Sequence, residues 1–274
     1  MEKIKKAIIL NGPGRSGTTL IYQILAYHEE LSWISSWVNK FPNVPSLSLF
    51  NRIYTNKWFG INWHNFSLVP KPAEAYGFWK NYYGKSNNEV SLKEISAKQN
   101  LVVNRLKSVV KFSGTKKIFM TKITGHSRNT LLESLFENYQ TIWIERDPRV
   151  VVSSYIKQMW FHKDRPKEFA ALSEKEKIEF YCKYYLKIRE EYKKTDNLIL
   201  VRYEDLITDK ELFFKNLCNQ VGLVYTSMFS QIVANWPIKE IGWEFYKEKY
   251  SRDGIELLEN LLKKELIDLG YFKK

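Results

Sequence analysis

Short apolar runs alternate with helical patterns along most of the chain. The runs at 7–11, 117–121, 141–145 and 197–202 are rich in β-branched and other apolar residues, which is typical of strands. The stretches "AIIL" and "NLILV" are apolar at every position, so helices are expected on both faces of the sheet. This alternation predicts parallel strands joined by right-handed crossovers, and hence a three-layer α/β fold with a central parallel sheet flanked by helices.

Capping signals indicate where several helices begin and end. Pairs with the spacing of a capping box are Ser91 with Glu94, Ser173 with Glu176, and Thr208 with Glu211. Glycines placed to end helices are Gly114, Gly222 and Gly270.

One stretch departs from the strand–helix alternation. Residues 33–83 contain five tryptophans among Pro, Asn and Ser, with few charges: Trp33, Trp37, Trp58, Trp63 and Trp79. We interpret the stretch as an aromatic-rich insertion beside the sheet. Its aromatics could line a pocket or simply pack an irregular subdomain, and Trp33 and Trp37, four apart, could share one helical face as core.

Composition narrows the class of protein and of binding partner but does not decide the function. The 274 residues suit one α/β domain spanning 1–274, and 43 basic against 30 acidic side chains give a charge of +13 that favours an anionic partner. Nucleic acid is not expected as that partner, because the aromatic stretch is nearly uncharged and offers no interleaved basic–aromatic surface.

The expected surroundings follow from cysteine use and hydropathy. Cys182 and Cys218 both fall in helical patterns, which supports neither a disulfide framework nor a zinc site. We see no apolar run long enough to cross a bilayer and no room for a signal peptide before the first strand. A cytoplasmic protein is the expectation.

The loop "GPGRSGTT" at 12–19 has the outline of a phosphate-binding loop between a strand and a helix. Gly12 and Gly17 keep the spacing of the pattern G-x-x-x-x-G-K-[ST], but Thr18 stands where the triphosphate lysine belongs. Backbone N–H groups, a helix N-terminus and the side chains of Arg15, Ser16, Thr18 and Thr19 remain as donors. They suit a shorter anion that needs no metal.

A second strand–turn–helix unit, "TIWIERDPRVVVSSY", carries a possible phosphate clamp. Arg146 ends the strand, Asp147 stands at the N-cap and Pro148 at the first helical position. Arg146 and Ser154 could converge on one phosphate, the arginine through bidentate bonds. The alternative is a plain capped helix with a surface arginine.

Together these motifs resemble the sulfotransferases that use 3′-phosphoadenosine 5′-phosphosulfate (PAPS). "GPGRSGTTL" resembles their 5′-phosphosulfate loop, "RDPRVVVSSY" their 3′-phosphate motif and "VRYEDL" the strand end that follows, in order from residue 7 to about 222. "WIS", "KPAEAYGFW" and "TKITG" are similar to segments of bacterial-type members. The resemblance implies a P-loop NTPase-like fold and sulfuryl transfer from PAPS, with adenosine 3′,5′-bisphosphate (PAP) as product and no metal.

The resemblance also implies donor-binding roles for particular residues. The loop residues Gly14, Arg15, Ser16, Gly17, Thr18 and Thr19 would wrap the 5′-phosphosulfate. Arg146 and Ser154 would hold the 3′-phosphate, Tyr203 would approach the adenine, and Lys239 would close a late loop over the 3′-phosphate.

The catalytic groups are less well defined by the motifs. Arg15 and Lys122 are candidates to neutralise charge on the bridging oxygen, Lys122 because cytosolic members place a lysine there near the transferring group. Those members use a histidine two residues further on, where this chain has Thr124, and tyrosylprotein-modifying members use a glutamate where it has Ser36. We therefore consider Glu74 the first candidate base, with a pKa that burial could raise, and His126 the second.

The sequence thus predicts sulfuryl transfer to a hydroxyl or amine of a small-molecule or carbohydrate acceptor. The insertion, taken as 33–90, is the expected acceptor-binding part. A noncatalytic nucleotide-binding relative and a P-loop kinase of a small metabolite remain as alternatives, the kinase disfavoured by Thr18 in place of lysine.

Overall fold

Five parallel strands of the described residues form one sheet at the centre of the fold. The computed structural model describes residues 2–55, 69–84, 90–114, 118–193, 195, 197–238 and 245–272. The strands are β1 Ile4–Asn11, β2 Leu31–Trp33, β3 Ile118–Lys122, β4 Phe136–Glu145 and β5 Leu198–Arg202. Their order across the sheet is β2-β3-β1-β4-β5, and every neighbouring pair is parallel.

Helices connect the strands and form the outer layers. In chain order the helices of the described residues are α1 Thr18–Leu25, α2 Ser36–Lys40, α3 Asn51–Tyr54, α4 Tyr76–Tyr83, α5 Leu92–Ser113, α6 Asn129–Leu135, α7 Pro148–Gln158, α8 Pro166–Ala171, α9 Glu174–Tyr192, α10 Tyr203–Thr208, α11 Lys210–Val221, α12 Ser227–Asn235, α13 Arg252–Leu261 and α14 Lys263–Asp268. Short 3₁₀ turns lie at Pro45–Phe50 and Phe245–Glu248.

The two faces of the sheet are buried by different helices. Along β1, Ile8 and Leu10 join a core with α1, α11 and α12, whereas Ala7 and Ile9 join a core with α4, α5 and α6. Because successive residues of a strand point to opposite faces, a strand that is apolar throughout needs a helical layer on each side. The predicted three-layer α/β fold is confirmed.

The sequence located four of the strands and missed the short edge strand β2. The predicted runs correspond to β1, β3, β4 and β5, with boundaries shifted by a few residues. β2 has three residues, too few for a periodic pattern, and it forms by pairing with β3. Trp33 therefore lies in a strand and Trp37 in α2, so the idea of a shared helical face was wrong.

The capping predictions were right except at one helix. Ser91 with Glu94 and Ser173 with Glu176 form complete capping boxes. Thr208 instead ends α10, and Asp209 caps α11 by accepting from the amides of Glu211 and Leu212. Thr208 and Asp209 can both accept hydrogen bonds from a helix start, and the Asp209 carboxylate occupies the N-cap position of α11.

No helix among the described residues combines the length and apolar character that a membrane crossing requires.

Candidate active site

The loop that follows β1 leaves the first amides of α1 open. Ser16 donates its amide to the carbonyl of Pro13 at 3.2 Å, and the Arg15 backbone adopts a left-handed conformation with φ +70°. Gly17 precedes α1 with φ +96°, and no side chain in the described part of the chain caps the helix. Uncapped N–H groups at a helix start, on a loop that holds a non-glycine residue in a strained conformation, favour an anion.

Two aromatic rings pack directly on the glycines of this loop. A Cβ on Gly14 would lie 2.1 Å from the Trp160 ring, and a Cβ on Gly17 would lie 2.2 Å from the Tyr203 ring. Both positions therefore require glycine for close approach, and Gly17 requires it for its backbone conformation as well.

Replacing Gly17 with alanine is expected to lower the free energy of unfolding by about 2–4 kcal/mol, from backbone strain plus overpacking against Tyr203. The matched control is Gly84→Ala, since Gly84 also has a left-handed backbone, φ +77°, but no atom of the described residues within 4 Å of the added Cβ. It isolates the strain of about 1–2 kcal/mol. Urea unfolding of both variants measures the difference, and equal losses would contradict the packing of Tyr203 on the loop.

Arg146 and Ser154 meet at Arg15. Arg146 follows β4 and donates from Nη1 to the Arg15 carbonyl at 3.2 Å, and its guanidinium carbon lies 4.2 Å from the centre of the Tyr203 ring. Ser154 accepts from Arg15 Nε at 2.9 Å. Burial lowers the pKa of Arg146, although Tyr203 and Glu204 favour the cation. The clamp and the loop are thus one hydrogen-bonded unit.

The neighbouring Arg149 points away from this unit. Its guanidinium is bound to Asp147 and, at 2.8 Å, to Glu259 on α13, while Asp147 caps α7. Arg149 therefore fixes the start of α7 against the C-terminal helices and leaves Arg146 as the arginine of this motif that faces the loop.

A cavity of about 460 Å³ opens beside the loop at the carboxyl end of the sheet. The residues lining it come from five places in the chain: Gly14, Arg15, Thr18 and Thr19; Glu74 and Tyr76; Lys122, Thr124 and Gly125; Trp160, Phe161 and Lys163; and Tyr184. Ligands of open α/β sheets bind in such crevices outside the strand ends.

Lys122 and Glu74 form the polar centre of the cavity. The Lys122 Nζ lies 3.0 Å from Glu74 Oε2 and donates to Thr19 Oγ1 at 2.8 Å. Glu74 Oε1 also accepts from the Thr124 hydroxyl, from the Thr124 amide at 3.2 Å and from Tyr76 OH at 2.8 Å. One ammonium thus connects the loop to the carboxylate.

The direction of the Glu74 pKa shift is the reverse of the expectation. Burial alone would raise the pKa, but Lys122 and the hydrogen bonds from Thr124 and Tyr76 outweigh it and hold the Glu74 pKa below its ordinary value. Glu74 is therefore a carboxylate that stays ionised and accepts hydrogen bonds. Burial and this charge raise the pKa of Tyr76 to about 12.

Other predicted residues lie elsewhere. His126 binds Glu191 through Nδ1 at 2.9 Å and is not among the residues lining the cavity. Ser16 is fully buried, and its Oγ has no partner among the described residues. Trp33 and Trp79 are buried in the two cores, whereas Lys239, Trp58 and Trp63 lie outside the described residues.

Most of the aromatic residues that line the cavity were not predicted from the sequence. Trp160, Phe161 and Lys163 follow α7 directly, and Tyr184 lies on α9. The stretch "MWFHK" gave a usable signal, because two large rings and a lysine follow the end of a helix that begins at the phosphate clamp.

Comparison with known proteins identifies the family. A model described as the sulfotransferase family matches residues 7–227. The chain belongs to the sulfotransferase family. No sequence match is found among curated proteins. The earlier prediction of this family, and of an enzyme, is confirmed.

Solved sulfotransferases share the fold at low sequence identity. The sulfotransferase STF9 from Mycobacterium avium aligns with a TM-score of 0.67 and 14% identity, covering 97% of this chain and 77% of that one. Mouse sulfotransferase SULT7A1, complexed with PAP, aligns with a TM-score of 0.50 and 12% identity, covering 95% and 84%. At such identities the likeness concerns the fold, and it confirms the predicted P-loop-like architecture of this sulfotransferase.

Proposed function

We propose that this sulfotransferase moves a sulfuryl group from PAPS to a hydroxyl or amine of a small-molecule or carbohydrate acceptor, without a metal, and releases PAP. The observation that carries the proposal is the shared cavity in which Lys122 contacts both the loop, through Thr19, and Glu74. In this arrangement the loop can bind the phosphosulfate, the cation can neutralise developing charge and the carboxylate can accept a proton.

Donor binding follows from the loop and the clamp. The loop from Gly14 to Gly17, the uncapped first amides of α1 and the hydroxyls of Thr18 and Thr19 receive the 5′-phosphosulfate. Arg146 and Ser154 receive the 3′-phosphate next to Arg15, and Tyr203 receives the adenine. We retain Lys239 as a proposed late-loop ligand of the 3′-phosphate.

The chemical step uses the cavity side of the same loop. The acceptor oxygen or nitrogen attacks sulfur in line while the bond from sulfur to the 5′-phosphate oxygen breaks. Glu74 takes the acceptor proton, and Arg15 and Lys122 neutralise the charge that develops on the departing oxygen. The side chain of Thr124, at the register of the histidine in cytosolic members, donates to Glu74, and this contact supports Glu74 as the proposed base.

PAP is expected to raise the melting temperature far more than ATP with magnesium does. A ligand at one hundred times its dissociation constant adds about 2.7 kcal/mol, which for a chain of this size is a shift of roughly 5–10 °C. Differential scanning fluorimetry with PAP, ATP plus magnesium, and adenosine 5′-monophosphate provides the comparison. Stronger stabilisation by ATP would replace the proposal with the kinase alternative.

A further inference from the structure

The lining of the cavity has more positive than negative charge. Its cations are Arg15, Lys122 and Lys163, and its carboxylate is Glu74. Lys122 is paired with Glu74, and Arg15 is bonded to Ser154 within the proposed donor site. For Lys163, no carboxylate of the described residues lies within ion-pair distance. Among the described residues that line the cavity, Lys163 is therefore the cation left for a ligand other than the donor.

Aromatic rings form the wall next to Lys163. Tyr76, Trp160, Phe161 and Tyr184 line the cavity, and the Phe161 and Tyr184 rings meet edge to face at 4.5 Å. Tyr76 is 49% and Phe161 39% exposed, although both are large rings on a concave surface. Exposed ring faces in a cleft are suited to stacking on a flat or ring-shaped ligand.

A second cation lies behind the same wall. Arg128, the residue before α6, is 8% exposed, and its Nε and Nη1 have no hydrogen-bond partner among the described residues. Burial lowers the pKa of Arg128. The nearby groups that act in the opposite direction and raise it are Tyr76, Tyr192, Glu74 and Tyr184. A buried guanidinium with unpaired donors is costly, and a negative charge bound nearby would offset part of that cost.

We infer, on the basis of the proposed function, that the acceptor is a ring-bearing compound that carries a carboxylate or similar anionic group beside its reacting hydroxyl or amine. Its ring lies on the aromatic wall and its anion faces Lys163, with Arg128 adding to the positive potential from behind. Phenolic acids and uronic acids share this chemistry, and both are predicted to be preferred over their neutral counterparts.

The test compares charged and neutral acceptors of the same shape. PAP-loaded protein is titrated calorimetrically with 4-hydroxyphenylacetate, 4-hydroxyphenylacetamide, glucuronate and glucose, and PAP release from PAPS is measured with the same four compounds. At least one acid is expected to bind and react about fivefold better than its neutral partner, as one partly exposed charge pair allows. Which pair shows the preference distinguishes an aromatic from a carbohydrate acceptor.

Two lysine variants assign the preference to the cavity. Lys163→Met is expected to remove it, through KM more than kcat, while PAP affinity stays unchanged. Lys167→Met is the matched control, because Lys167 is exposed four residues further on and does not line the cavity. Raising the ionic strength should weaken the preference in the unmodified protein only.

The outcomes separate this inference from the proposed function. Equal or better use of the neutral compounds, failure of all four to bind, or a preference that survives in Lys163→Met would overturn the anionic acceptor. Loss of PAP affinity in Lys163→Met would also overturn it, since Lys163 would then serve the donor. The proposed function falls only if PAP fails to bind or PAPS supports no transfer to any acceptor.

Discussion

Replacing Glu74 with glutamine is expected to lower the turnover number about 10²–10⁴-fold, the usual loss when a positioned base is removed. The amide keeps the shape of the carboxylate but cannot take the acceptor proton. PAP affinity should stay within about twofold, because the partners of the Glu74 carboxylate are Tyr76, Thr124 and Lys122 rather than the loop or the clamp. Initial rates of PAP release at saturating PAPS measure the first effect and calorimetry measures the second.

The control for Glu74 is His126→Asn, which removes the second candidate base. His126 is bound to Glu191 and is not among the residues lining the cavity, so a change of less than threefold is expected, within the scatter of distant sites. An unchanged rate in Glu74→Gln would transfer the role of base to His126 or to the acceptor itself. Thermal unfolding without ligand shows whether Glu74→Gln, which leaves Lys122 opposite a neutral amide, still folds.

The pH profile gives an independent check on Glu74. Its pKa is lowered in the folded protein, so the carboxylate is ionised above that value and loses activity only as the pH falls through it. The acid limb of turnover should lie below the ordinary glutamate value of about 4.3, and Glu74→Gln should abolish the limb. A limb near pH 6.5, where histidines ordinarily titrate, would contradict Glu74 as the base.

Replacing Arg146 with alanine is expected to weaken PAP binding about 10²-fold, since hydrogen bonds from a charged group contribute about 1.5–3 kcal/mol each. The PAP affinity of Arg146→Lys should lie between those of the unmodified protein and Arg146→Ala, because lysine keeps the charge but lacks the bidentate geometry. Adenosine 5′-monophosphate has no 3′-phosphate, so its affinity should change little in Arg146→Ala. Calorimetric titration of both nucleotides into each variant measures these differences.

Arg165→Ala is the matched control for Arg146. Arg165 is an exposed arginine that precedes α8 and pairs with Glu168. Its replacement with alanine changes the net charge by the same amount as Arg146→Ala but leaves Arg146 and Ser154 in place. PAP binding that survives in Arg146→Ala would mean that the 3′-phosphate lies elsewhere. If PAP binding weakened equally in both variants, the effect of Arg146 would come from the net charge of the protein and not from contact with the 3′-phosphate.

The features that were predicted correctly from the sequence are determined by residues close together along the chain. The loop at Gly14–Thr19, the Asp147 cap and the strand predicted at 117–121 are local patterns, and each was found within a residue of where it was expected. The cavity wall is different, since Tyr76, Phe161 and Tyr184 come from separate elements that only the packing of α7 and α9 beside the sheet brings together. No spacing within one stretch encodes that meeting.

The Glu74 pKa also depends on residues distant along the chain, which a local sequence pattern does not reveal. Local composition suggests a glutamate buried among aromatics, and burial by itself raises the pKa. The opposing charge comes from Lys122 and one opposing hydrogen bond from Thr124, both distant along the chain, and the neighbouring Tyr76 adds another hydrogen bond. A prediction of burial without its partners therefore gave the wrong sign.

The contact between Trp160 and Gly14 has a consequence for engineering acceptor preference. Trp160 lines the cavity but also rests on the loop backbone, so a substitution there would disturb both substrates at once. Phe161 packs instead on Phe180 and Tyr184, and Lys163 is exposed. A library intended to change the acceptor while preserving donor affinity should vary Phe161 and Lys163 and keep the tryptophan.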